Sequence, residues 1–167
     1  HSVYLTENNQ IVAALDLMDE IKPGATAMIS GLKLQGITPV LLSGDGEKRC
    51  REVAEMIGID NVYFNHLPHE KIQRVDALKK EGTLLMVGDG INDAPSLASA
   101  DIGISFSSAT KIAINTARVV ILNQEDLRII LTAIHIGKQT LSTIRQNLFW
   151  AFAYNLVAIP VAAVGLL

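Results

Sequence analysis

The sequence predicts an α/β fold, a doubly wound parallel sheet, followed by one long helix that enters a membrane. Three observations predict it. Short apolar segments such as "TPVLL" (38–42) and "TLLMV" (83–87) alternate with amphipathic helical stretches, which calls for crossover connections and helices on both faces of a parallel sheet. From about Glu125 only helical spacing is left. No charged residue follows Arg145, and residues 148–167 (LFWAFAYNLVAIPVAAVGLL) are almost wholly apolar.

Residues 2–17 alternate around Glu7-Asn8-Asn9, a hairpin signal. Ala25, Met28, Ile29 and Leu32 share one side of a helix over 25–35, which Gly36 closes. A buried strand follows at 38–42. Residues 48–57 form the next helix, stopped by Gly58; Cys50 completes its apolar stripe with Val53, Ala54 and Ile57, so it belongs to the core. After a brief strand at 62–64, the helix at 69–80 turns Ile72, Val75 and Leu78 inward and stops at Gly82. Then come a strand at 83–87, a helix at 92–98, a strand at 102–105, a short helix at 109–116 and a strand at 119–122. Leu127, Ile130, Leu131, Ile134, Leu141 and Ile144 keep helical spacing into the apolar segment. Twenty helical residues rise about 30 Å, the thickness of a bilayer's hydrocarbon core. A buried helix of a soluble protein is the other reading, but such a helix normally keeps a polar face.

The 167 residues fit one domain, 49% apolar and only 19% charged. The net charge of -3, with no basic patch interleaved by aromatics, argues against nucleic acid. A single cysteine excludes an internal disulfide and fits a reducing compartment. No signal segment precedes the pattern at His1, and both ends read as cut.

Ligands of an open parallel sheet gather at the carboxyl ends of its strands. Three polar groups fall there: Ser43-Gly44-Asp45, Lys71 at the start of its helix, and Asp89-Gly90-Ile91-Asn92-Asp93. The set suits phosphoryl chemistry, with Ser43 and backbone N–H groups on phosphate, Lys71 balancing charge and the carboxylates holding Mg²⁺. An isolated Gly-Asp-Gly is more often a turn, and a lone helix lysine is more often solvated. The Ca²⁺-loop, Gly-x-Gly-x-x-Gly and Walker patterns are missing. His66 and His69 have no third ligand at zinc spacing.

"MVGDGINDAPSLASADIGI" (86–104) resembles the hinge signature of P-type ATPases, within the haloacid dehalogenase-like superfamily. "DEIKPGA" (19–25), "SGDG" (43–46) and "LPHEK" (67–71) resemble neighbouring family segments, and "IRQNLFWAFAYNLVAIPVAA" resembles a membrane helix of the copper-transporting heavy-metal class. The resemblance implies an ATP-driven pump, most naturally for Cu(I), with Mg²⁺ as cofactor and ATP as substrate of the intact protein. It makes Asp89 the Mg²⁺ ligand, with Asn92 and Asp93 binding phosphate or supporting the metal. Lys71 becomes the residue that stabilises the transferring phosphoryl group, and Ser43, with Gly44 and Asp45, the phosphate contact. Tyr154 and Asn155 become intramembrane residues on the ion path, although Asn155 also suits helix–helix hydrogen bonding. Trp150 is an interfacial anchor on this reading, and Lys138 and Arg145 keep the phosphorylation domain cytoplasmic. Residues 1–17 would end a nucleotide-binding domain, 18–124 form part of the phosphorylation domain, and 125–167 form a linker and membrane helix.

The departures matter. No Asp-Lys-Thr-Gly-Thr stretch, the family's nucleophile, occurs in these residues, so the chain alone is expected not to form a phosphoenzyme. In the superfamily that strand is central, and without it two strand edges should stay unpaired. Gly46 stands where the family has Asn, and the donors here are not the thiolates and thioethers that Cu(I) prefers. The intact pump would need its N-terminal half, a bilayer and its metal ion as partners. Two other readings are a non-catalytic, membrane-tethered Mg²⁺/phosphate-binding module and a free-standing phosphatase, the latter opposed by the absent nucleophile.

Overall fold

The computed structural model describes residues 2–7, 10–16, 20–88, 90–122, 126–163 and 165. Strand β1 (Ser2–Glu7) pairs antiparallel with β2 (Gln10–Asp16), with a register shift between Leu5 and Thr6. The Asn8-Asn9 turn expected between them lies outside the described residues. After the hairpin the order is α1 (Ala25–Leu34), β3 (Val40–Leu42), α2 (Glu47–Ile57), β4 (Asn61–Tyr63), α3 (Pro68–Lys79) and β5 (Leu85–Val87). A 3-10 turn (Ile91–Asp93) leads into α4 (Ala94–Ser99), then β6 (Ile102–Phe106), α5 (Lys111–Thr116), β7 (Val119–Ile121) and α6 (Ile129–Ala163).

The strands are parallel, as the alternation predicts, but they form two sheets. β3 pairs with β4, and β5, β6 and β7 make a three-stranded sheet in that order. Among the described residues β3 and β5 do not pair, so each keeps one free edge, as expected without a central strand. Side-chain packing holds the two sheets together. One cluster joins Ala25, Ile29, Ala54, Ile57 and Ile59, and the other joins Ile104, Phe106, Ile121 and Ile130. Met28 and Leu127 pack against both.

Boundaries shift for physical reasons. Thr38 and Pro39 precede β3 rather than opening it, since proline has no N–H to give a ladder. β4 starts one residue early and β5 is trimmed to Leu85–Val87. The helix expected at 92–98 is a 3-10 turn followed by α4. Cys50 is buried, its thiol 3.5 Å from the Asp45 carbonyl oxygen.

α6 is continuous through Gly137. Its first turns are in the core through Ile130, and Lys138 Nζ donates to Gln35 Oε1 of α1 at 2.9 Å. Leu141 and Ile144, which continue the helical spacing, are exposed, and among the described residues no other element covers them. Among the described residues no helix is long and apolar enough to cross a membrane. The span expected at 148–167 is described only as Leu148–Ala163, the end of α6, plus Gly165, and its remaining positions lie outside the described residues.

Candidate phosphoryl-handling site

The loop after β3 is a small closed turn. Ser43 Oγ accepts from the Asp45 N–H at 3.1 Å and donates to Asp45 Oδ2 at 3.0 Å. It is tied to the loop after β4: Ser43 N–H donates to Tyr63 O, Asn65 N–H to Asp45 O, and His66 N–H to Ser43 O. Gly44 is exposed beside this turn. Gly46 caps α2 with no side chain on its N-terminal amides, and uncapped amides of this kind suit an anion.

His66 Nδ1–H donates to Phe64 O at 2.8 Å, which fixes its ring against its own loop. One residue on, Leu67 opens α3. The Glu70 carboxylate reaches back to the Leu67 N–H at 2.7 Å, and Pro68 sits in the first turn, so the start of the helix is held firmly. That start carries Lys71.

Lys71 Nζ donates to Asp93 Oδ1 at 2.7 Å, joining α3 to the turn that follows β5. The side chains are 12% and 21% exposed, so the pair is shielded from water without being sealed off. Gly88, at the end of β5, lies against Asp93: a Cβ there would come 3.0 Å from the Asp93 Cβ and 3.5 Å from Oδ2. A larger residue at 88 would push the carboxylate off its lysine.

The structure therefore brings together Lys71 with Asp93, and Ser43 with Asp45, and links the two pairs through the β4–α3 loop. Asn92 is exposed on the same turn as Asp93. Asp89 lies outside the described residues. Tyr154, 72% exposed, and Asn155 sit far along α6, apart from the sheet. Among the described residues no three His, Cys, Asp or Glu side chains cluster as metal ligands. Asp93 nevertheless offers a hard-cation donor: Oδ1 is taken by Lys71, and Oδ2 lies beside Gly88 and Gly90. A carboxylate oxygen of this kind suits a hard cation such as Mg²⁺ and not a soft ion.

Sequence reasoning missed Arg74, whose guanidinium lies 3.5 Å from the Tyr63 ring centroid.

The family model of haloacid dehalogenase-like hydrolases matches residues 1–101. The chain belongs to that family. Curated relatives of this haloacid dehalogenase-like chain include the Copper-exporting P-type ATPase of Staphylococcus aureus (strain MRSA252), 41% identical over 99% of this chain and 21% of the relative. Cation-transporting P-type ATPase B of Mycobacterium bovis is 38% identical over 99% of this chain and 22% of its own length. The chain thus spans about a fifth of the curated relatives it matches. Among solved structures, a zinc-transporting PIB-type ATPase in the E2.Pi state superposes with a TM-score of 0.86 at 31% identity, covering 99% of this chain and 27% of that one. A substrate-bound phosphoserine phosphatase superposes at 0.60 with 25% identity, covering 67% and 63%.

Proposed function

We propose that this chain is the phosphoryl-handling part, with the following helix, of an ATP-driven P-type pump for a heavy-metal cation, Cu(I) being the first candidate. The shielded Lys71–Asp93 pair at the carboxyl end of β5 carries the reading, supported by whole-chain similarity to a copper-exporting and a zinc-transporting P-type ATPase. Residues 1–17 then end a nucleotide-binding domain, 18–124 form part of the phosphorylation domain, and 125–167 form the linker and a membrane helix.

In this proposal the Ser43 hydroxyl turns from Asp45 to a phosphate oxygen, joined by the backbone N–H groups of Gly44 and Asp45. Asn92 donates its amide to the same phosphoryl group. Lys71 offsets the negative charge that accumulates on the transferring phosphoryl. Asp89 and Asp93 Oδ2 would hold Mg²⁺, which supplies charge neutralisation when bound. The phosphoryl acceptor belongs to an Asp-Lys-Thr-Gly-Thr segment, absent from these 167 residues, in the N-terminal half that the proposal requires as a partner. A strand from that half would fill the free edges of β3 and β5. The exposed apolar end of α6, with Tyr154 and Asn155, would lie in the bilayer on the ion path, leaving the phosphorylation domain cytoplasmic.

The second reading is a non-catalytic, membrane-tethered Mg²⁺/phosphate-binding module, favoured by the unpaired strand edges. The test is phosphorylation of the intact reading frame in membranes with radiolabelled ATP and Mg²⁺, adding Cu(I) or Zn²⁺. The pump reading expects a covalent phosphoenzyme that depends on Cu(I) and is lost in Lys71→Ala and Asp89→Asn. Stimulation by Zn²⁺ alone would reassign the cargo. No covalent label with intact Mg²⁺ binding would leave the module.

A further inference from the structure

Away from the Lys71 face of α3, an open groove of about 460 Å³ runs between this helix and the loop after β4. Phe64, His66, Glu70, Gln73 and Arg74 contribute to its walls. Its volume is within the range of small-molecule sites. The unusual feature is the state of Arg74. Glu70 stands one turn earlier at the spacing of an ordinary helix ion pair, yet its carboxylate is turned back onto the Leu67 N–H. Arg74 instead lies over the Tyr63 ring, its guanidinium carbon 3.5 Å from the centroid, and its buried Nε has no hydrogen-bond acceptor among the described residues. Stacking of this kind fixes the plane of the guanidinium, so its donors are already oriented before any ligand arrives.

The rest of the groove is equally settled. His66 is pinned through Nδ1 to Phe64 O. Asn65 holds a positive φ of 55° that turns the loop back toward α3. Phe64 supplies an aromatic wall, steadied on one side by the Arg51 guanidinium at 5.5 Å. Among the described residues Arg74 is the one Lys or Arg that lines the groove, and the Glu70 carboxylate lines it too. A dianion such as phosphate would be poorly balanced there. A monoanion with a flat apolar body suits the single guanidinium fork beside the aromatic wall, with the Glu70 carboxylate already engaged by the Leu67 N–H.

We propose that this groove is a binding site for a small organic carboxylate, held in a bidentate pair by Arg74 with its body against Phe64. Occupancy would fasten α3 to the same loop whose Asn65 and His66 N–H groups hold Asp45 and Ser43. The groove is independent of the pump reading.

The test is a ¹H–¹⁵N NMR titration of the full chain with benzoate, and separately with inorganic phosphate. Saturable shifts at Asn65, His66, Gln73 and Ala77 are expected with benzoate, while Gly88 and Asp93 stay in place. Arg74→Gln should weaken binding at least tenfold, and Arg74→Lys, which keeps the charge and loses the planar fork, about fivefold. Since Arg74 packs on Tyr63 and its loss can disturb the loop, Gln73→Glu is the second variant. It adds a repelling charge at an exposed position and should weaken benzoate at least fivefold. Absence of saturable shifts, unchanged affinity in Gln73→Glu, or phosphate binding in the groove as tightly as benzoate would overturn the proposal.

Discussion

Lys71 and Asp93, 22 positions apart, meet at 2.7 Å and fasten the start of α3 to the turn after β5. With side chains 12% and 21% exposed, the pair falls between a surface ion pair, worth under about 1 kcal/mol, and a buried one whose breakage costs about 3–5 kcal/mol. Lys71→Ala and Asp93→Asn should each lower unfolding stability by about 1–2 kcal/mol. In urea denaturation the double variant should recover about 1 kcal/mol of the summed loss. Strict additivity would mean that the two side chains do not sense each other.

Gly103 sits in the middle of β6, paired with Met86 of β5, and a Cβ there would lie 2.6 Å from the Leu97 carbonyl oxygen of α4. That neighbour is backbone, so it cannot swing aside. Gly103→Ala should therefore cost about 2 kcal/mol or more, as overpacking does, and lower the melting temperature by several degrees. Gly82→Ala is the control, because nothing lies within 4 Å of its Cβ position. It should be neutral or slightly stabilising.

The sequence made these elements legible where periodicity and punctuation agree. The helix expected at 48–57 appears as Glu47–Ile57 with Gly58 at its end, and its buried stripe is Cys50, Ala54 and Ile57 as read. Position along the strands also placed Lys71 near the Gly88–Asp93 loop, although no local rule could reveal that the lysine would choose Asp93. Periodicity marks a face without saying what covers it. Leu141 and Ile144 continue the stripe of Ile130, yet the domain ends below them and leaves them exposed. Arg74 was not singled out at all, because nothing in the local sequence shows that the Glu70 carboxylate one turn earlier is taken by the Leu67 N–H while Arg74 lies over Tyr63.

Asp101 lies at the opposite end of the sheet from the candidate site, just before β6. Its carboxylate accepts the Leu84 N–H at 2.9 Å, and Lys79 Nζ stands 3.6 Å away. That backbone hydrogen bond, with smaller help from Lys79 and Arg118 and against the opposing effect of burial, holds its pKa below the usual carboxylate range. A lowered folded pKa means that the unfolded chain binds the proton more readily. The stabilisation is thus fully present above the unfolded value of about 3.9 and is lost as pH falls through the folded value. Urea midpoints recorded between about pH 6 and pH 2 should fall less steeply for Asp101→Asn than for the parent chain. Parallel slopes would show that this carboxylate does not contribute to acid unfolding.

Ser105 shares a face of β6 with Gly103, the face that Leu97 of α4 packs against, and it is fully buried. Ser96, on α4, is fully buried as well. Neither hydroxyl has a hydrogen-bond partner among the described residues. An unpaired buried hydroxyl carries a desolvation penalty of about 1–3 kcal/mol, whereas removing one oxygen forfeits little packing. Ser105→Ala and Ser96→Ala should therefore each raise stability by about 0.5–1 kcal/mol, against the usual direction of core substitutions. Thermal melts of the two variants decide the matter. A loss of 1 kcal/mol or more would mean that the hydroxyl is satisfied, with a buried water as its partner, and the α4–β6 interface would then be a polar contact rather than a dry one.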